Sequence, residues 1–189
     1  DHLDLLRAID FASRRGSPST IRRLRELATT EQESDWSSTI RGAAAKGLLD
    51  FREWRPVIDF LEEVGLNSSP DLMRWPQGGI RPSEKILAPV RKRVRDCPTP
   101  GAVLALGFGR SEANSATVRS VLKGEPPESN VAHAAVLALQ MMGDRSEDAV
   151  NAIAELYTCD RTRYVTNALL ANGTRKALVA LRNSPVSGD

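Results

Sequence analysis

The 189 residues carry 26 basic and 24 acidic side chains, and 41% of them are hydrophobic. That mixture belongs to a folded globular chain and excludes a disordered tail or a fibrous repeat. No run approaches the roughly 20 consecutive apolar residues that cross a bilayer, and no basic-then-apolar leader opens the chain.

In chain order, residues 3–14 form a first helix. "SPSTIRRLRELA" (17–28) is its partner, with Ser17 at the capping position and Pro18 where an N1 proline is tolerated. Ile21, Leu24 and Leu27 face the core at helical spacing and leave the arginines outward. Helices follow at about 36–50 and 54–64. The second of these has an apolar face of Val57, Ile58, Phe60 and Leu61, with Trp54 as core at its start. Asp50 falls in the turn between the two. Residues 65–82, "GLNSSPDLMRWPQGGIRP", break the rhythm with three prolines and three glycines. Residues 83–96 form a helix, with Pro89 as a candidate for its true start because an internal proline kinks a helix. Short helices at 100–108 and 113–123 come next, then 130–143 with 146–158, then 162–172 with 174–183. The short connection "ANGT" in the last pair fits a terminal repeat. The chain opens on Asp1 rather than Met and is expected to be a segment of a longer protein.

A period runs through these elements. "VLAL" stands at 103–106 and again at 136–139, and "LLAN" stands at 169–172, 33 residues apart each time. Intervals of 20 to 50 residues mark repeat architectures. In residues 130–160, Val131, Ala134, Ala135, Leu137, Ala138 and Met141 recur at helical steps, with small residues where a neighbour must come close. Gly143 then suits a left-handed helix end. Ser146 caps a second helix, with Glu147 and Asp148 in its first turn and Ala149, Val150, Ile153, Leu156 and Tyr157 buried. A single helical hairpin cannot hide both apolar stripes, whereas stacked hairpins can.

"VAHAAVLALQMMGD" (131–144) and "IRGAAAKGLLD" (40–50), the latter followed by "WRPVIDFLEEV" (54–64), resemble the two helices of HEAT-type repeats. The resemblance implies an all-α, right-handed α-solenoid of five to six stacked hairpins. It makes residues 1–189 a single array with an irregular loop at 65–82. Arg41 falls on the family's Arg position and Asp144 on its Asp position, which in the family form a ladder between repeats. Ala132 stands where the repeat holding Asp144 would carry the Arg.

Of the 26 basic residues, 21 are Arg and 5 are Lys. That bias fits either a GC-rich coding sequence or selection for planar, bidentate recognition of carboxylate and phosphate. The basic residues cluster at 7–25 and 81–95. Arg22, Arg23 and Arg25, and Arg91, Lys92, Arg93 and Arg95, fall on second helices of hairpins, which line the concave surface in arrays of this type. They form either two strips that attract an acidic partner or a solvated face balanced by acidic 31–35 and by Glu62 and Glu63. Arg74 and Trp75 in the break either present themselves to a ligand or pack with Leu72 and Met73 as a degenerate helix.

Catalysis finds little support. His2 is near the start of the chain and His133 lies inside an alanine-rich helix. The chain has no phosphate loop, zinc-protease signature or nucleophile elbow. Cys97 and Cys159 show neither metal-ligand spacing nor a disulfide framework, which fits a reducing, cytoplasmic setting. No cofactor or metal is expected. The expected function is a non-catalytic scaffold or regulatory module that binds a protein or acidic peptide. The alternative is nucleic-acid binding on a basic concave face, including the DNA glycosylase type that some HEAT-like proteins show, with Asp50, Trp54 and Arg55 as the residues to examine.

Overall fold

A computed structural model of the chain describes residues 2–30, 37–67, 81–159 and 163–183. The described residues fold into eleven α-helices and contain no strand: α1 (His2–Ser13), α2 (Pro18–Thr29), α3 (Ser37–Asp50), α4 (Trp54–Val64), α5 (Glu84–Asp96), α6 (Pro100–Leu106), α7 (Glu112–Gly124), α8 (Asn130–Met142), α9 (Glu147–Cys159), α10 (Arg163–Asn172) and α11 (Arg175–Arg182). A 3-10 turn, Gly65–Asn67, extends α4. Among the described residues no helix is long and apolar enough to cross a membrane.

The helix starts share one device. The hydroxyls of Ser17, Thr99, Ser111, Ser129, Ser146 and Thr174 each accept a hydrogen bond from the amide three residues on, which satisfies a donor the helix itself leaves open. Pro18 and Pro100 occupy first-turn positions where no amide is missed. Gly143 ends α8 in the left-handed region at φ 67°, and the next amide, of Asp144, returns to the Leu139 carbonyl at 3.1 Å.

α5 matches the helix expected at 83–96, and the alternative start at Pro89 is not taken, since that proline lies inside it. Leu87, Val90 and Val94 are buried one helical step apart and hold the segment helical through the proline. Pro89 is exposed, so the one backbone bond it cannot make is missing from the solvent side. Asp50 is the last residue of α3, not part of the turn; the turn that follows places Arg52 at φ 61°.

Packing runs in two rows. α1 packs on α3, and α6 on α8 and α8 on α10; in the other row α2 packs on α4, α5 on α7, α7 on α9 and α9 on α11. Between the rows, the second helix of one hairpin lies against the first helix of the next: α2 on α3, α7 on α8 and α9 on α10. α8 sits deepest, with Ala132, Ala135, Val136, Ala138 and Leu139 fully buried, so it is covered on most of its circumference, and Asn130 and Gln140 are its exposed residues. Trp54 is core, as its position at the start of α4 implies; its ring lies 5.8 Å from that of Phe108. α4 packs directly on α6, across the stretch that the irregular segment spans in sequence.

Candidate functional site

The two basic strips lie on α2 and α5, and most of their arginines already answer to carboxylates. Arg23 pairs with Glu26 at 2.9 Å within α2, and Arg25 reaches Glu53, just ahead of α4, at 2.5 Å. Arg93 pairs with Glu62 of α4, and Arg91 with Glu84 of its own helix. Arg91 also donates to the Asn114 side chain at 2.6 Å, and Arg95 to the Thr117 hydroxyl at 3.3 Å, both on α7. Arg22 and Lys92 are exposed and make no ion pair among the described residues. Arg74 and Trp75 lie outside the described residues, as do the acidic residues 31–35.

The contacts of Arg25 with Glu53, Arg93 with Glu62, Arg91 with Asn114 and Arg95 with Thr117 tie consecutive hairpins together. "EKILAPVR" in α5 and "EANSATVR" in α7 repeat a Glu and an Arg seven residues apart. Arg119 copies Arg91: it pairs with Glu112 at its own helix start and reaches forward to Asp144, at 2.6 Å, before α9. In α9 the matching position is Ala154, and Asn172 instead donates to the Asp144 carbonyl at 3.3 Å. Arg41 provides the ladder's counterpart near the start of the chain. It is almost fully buried, donates to the Ala28 carbonyl at 3.0 Å and grips Glu63 with both ends of its guanidinium. Arg41 and Asp144 therefore both join ion pairs, though with Glu63 and Arg119 rather than with each other's repeat.

The carboxylates register this. Hydrogen bonding to Arg41 holds Glu63 below the usual carboxylate range. Burial pushes Asp144 upward, but the Ser146 amide and hydroxyl and the Arg119 guanidinium outweigh it and hold the group below its ordinary value. Asp50 goes the other way: burial raises it, Asp10 adds to the rise, and Lys46 opposes both.

Buried against Phe108, Trp54 offers no open ring face on which a base could stack, while Arg55 is exposed 4.0 Å from Asp59. Cys97 and Cys159 are exposed and unbridged, and His133 is half-buried in α8.

Open space lies elsewhere too, at the edge formed by the turns. A cleft of about 310 Å³ runs between the turn after α6, the turn after α8 and helix α10. A second, of about 450 Å³, adjoins it across Gly143, Asp144 and Arg145. Arg110 and Arg145 line both. Sequence patterning does not mark them, because each is a lone arginine in a turn.

No family model matches the chain, and no curated protein or solved structure matches it.

Proposed function

We propose that the chain is a non-catalytic interaction module of HEAT-like repeats, a right-handed solenoid of helical hairpins that docks a protein partner. The observation that carries this reading is the packing order, in which the second helix of one hairpin lies on the first helix of the next, in two rows. Arrays built this way present long surfaces made of many equivalent elements, and partners bind along them. The sequence likeness of 131–144 and 40–64 to HEAT-type helices supports the same reading.

A protein partner is favoured over nucleic acid because of how the strip arginines are spent. Arg23, Arg25, Arg91 and Arg93 each hold a glutamate, so binding phosphates there would require those pairs to open. Neutralising phosphates on duplex DNA makes affinity fall by about 0.9 log units per contact per log unit of salt.

The test is capture with the purified chain, identification of what is retained, and calorimetry of the purified candidate with the chain at two salt concentrations. A stoichiometric complex that survives moderate salt supports the module. Turnover of any substrate, or duplex binding with a steep salt slope and no protein complex, refutes it.

A further inference from the structure

Arg110 and Arg145 are exposed and stand outside the ion-pair ladder, although Glu112 and Asp144 share the lining of one cleft with them. Neither makes an ion pair or hydrogen bond among the described residues, yet both line the same two adjoining clefts. Arg110 lies over the end of α8, where a Cβ placed on Gly143 would stand 3.8 Å from its Nη2. Like charges gathered in a concave site raise the local concentration of an anion.

The rest of the lining limits which anion. Arg119 is shared between Asp144 and Glu112, so one negative charge stays at the rim and the excess of positive charge is small. That suits a single carboxylate and disfavours a polyanion. Ala171 gives the first cleft an exposed apolar spot, while Ile153 and Ala168 are buried; that suits a small neighbouring aliphatic side chain rather than a sugar–phosphate backbone. The volumes fall within the range of about 300–1,000 Å³ usual for ligand clefts. An arginine guanidinium matches a carboxylate with two parallel N–H···O bonds.

We infer that the cleft between the α6–α7 and α8–α9 turns binds an acidic peptide segment, with Arg110 and Arg145 gripping a Glu or Asp carboxylate and an adjacent small aliphatic side chain resting on Ala171. The inference rests on the interaction-module reading and gives the partner a chemistry: an acidic, extended segment rather than a folded basic surface.

The test uses the full chain and a dye-labelled, C-terminally amidated peptide with one glutamate, Ala-Ala-Glu-Ala-Ala, followed by fluorescence anisotropy at low salt, with the glutamine version as control. The glutamate peptide binds about tenfold or more tightly than the glutamine peptide. The double variant Arg110→Gln/Arg145→Gln loses that preference. The double variant Lys123→Gln/Arg182→Gln, which removes the same charge from exposed positions elsewhere, keeps it. Thermal melts of both variants confirm that each is folded, and side-chain Nε–Hε resonances of the parent give a second readout: Arg110 and Arg145 shift on titration and Arg119 does not. Equal affinity for both peptides, equal loss in both double variants, or a duplex oligonucleotide that outcompetes the peptide for the same arginines overturns the proposal. If a captured protein partner still binds Arg110→Gln/Arg145→Gln at parental affinity, the cleft assignment fails while the interaction-module reading stands.

Discussion

Gly101 of α6 meets Leu61 of α4 backbone to backbone: a Cβ on Gly101 would stand 1.8 Å from the Leu61 carbonyl oxygen and 2.5 Å from the Glu62 Cα. No side chain fits there, and the obstacle is main chain, which cannot swing aside. This contact joins the helices before residues 68–80 to those after them, so its loss splits the core where the repeat rhythm is broken. Gly101→Ala is expected to destabilise the chain by about 3 kcal/mol or more, at or beyond the upper end of ordinary overpacking. Gly124→Ala is the control. Its Cβ meets nothing within 4 Å at the end of α7, and alanine there is neutral or stabilising by up to about 1 kcal/mol. Denaturant unfolding of the two variants beside the parent checks the pair, and similar midpoints for both would contradict the close approach.

Arg119 and Asp144 are the best-enclosed ion pair of the ladder, with side chains 11% and 8% exposed. Removing one partner strands the other charge in a poorly solvated place, so Arg119→Ala is expected to cost about 3 kcal/mol. Asp144 is held below its ordinary value in the folded chain, so the stability it contributes is fully present above the unfolded carboxyl value of about 3.9. It is lost as pH falls below that point toward the folded value. Glu63, held down by Arg41, adds to the same loss over a similar range. The expected result is a melting temperature that drops as pH falls below about 4, with a shallower drop in Asp144→Asn. An identical pH profile in that variant would remove Asp144 from the account.

Much of the helical layout is readable in the sequence because its signals are local. The caps at Ser17 and Ser146, the left-handed end at Gly143 and the core position of Trp54 depend on a few neighbouring residues. The helix at 83–96 is readable, but Pro89, the strongest local signal there, points to a later start, and the buried Leu87, Val90 and Val94 that override it express tertiary packing. The strips at 22–25 and 91–95 are visible as clusters of charge, but their partners stand up to 31 residues away, so clustering says nothing about whether a given arginine is engaged. Arg110 and Arg145 show the converse. They are inconspicuous singly, and only the stacking of two turns brings them to one cleft.

Arg41 offers a test of shape against charge. Its guanidinium bonds the Ala28 carbonyl through Nε and Glu63 through both terminal nitrogens, and it lies 5.4 Å from the centre of the Phe60 ring. A lysine carries the same charge but lacks the planar fork and the third donor direction. Arg41→Lys is therefore expected to cost about 2 kcal/mol, with one charge-assisted bond lost and a buried carbonyl left open. Glu63→Gln, at a side chain that is 54% exposed, is expected to cost less. Equal melting temperatures for Arg41→Lys and the parent would mean that charge alone suffices.

Pro89 gives a prediction of the opposite sign. It lies well inside α5, five residues beyond Glu84, where the amide it lacks would have bonded the Lys85 carbonyl. A proline in a helix interior is less favourable than alanine by about 3 kcal/mol. Part of that is offset because proline also restricts the unfolded chain, an effect of up to about 1 kcal/mol. Its ring is exposed, so little packing is lost with it. Pro89→Ala is therefore expected to stabilise the chain by roughly 1 to 2 kcal/mol, seen as a higher denaturation midpoint with an unchanged slope. The ring does border a hollow of about 250 Å³ between α4 and α5, beside Ile58 and Arg93. If it instead fixes a bend that seats α5 on α7, the same change lowers the midpoint, and the pairing of Arg91 with Asn114 and Arg95 with Thr117 becomes the reason the proline sits inside a helix.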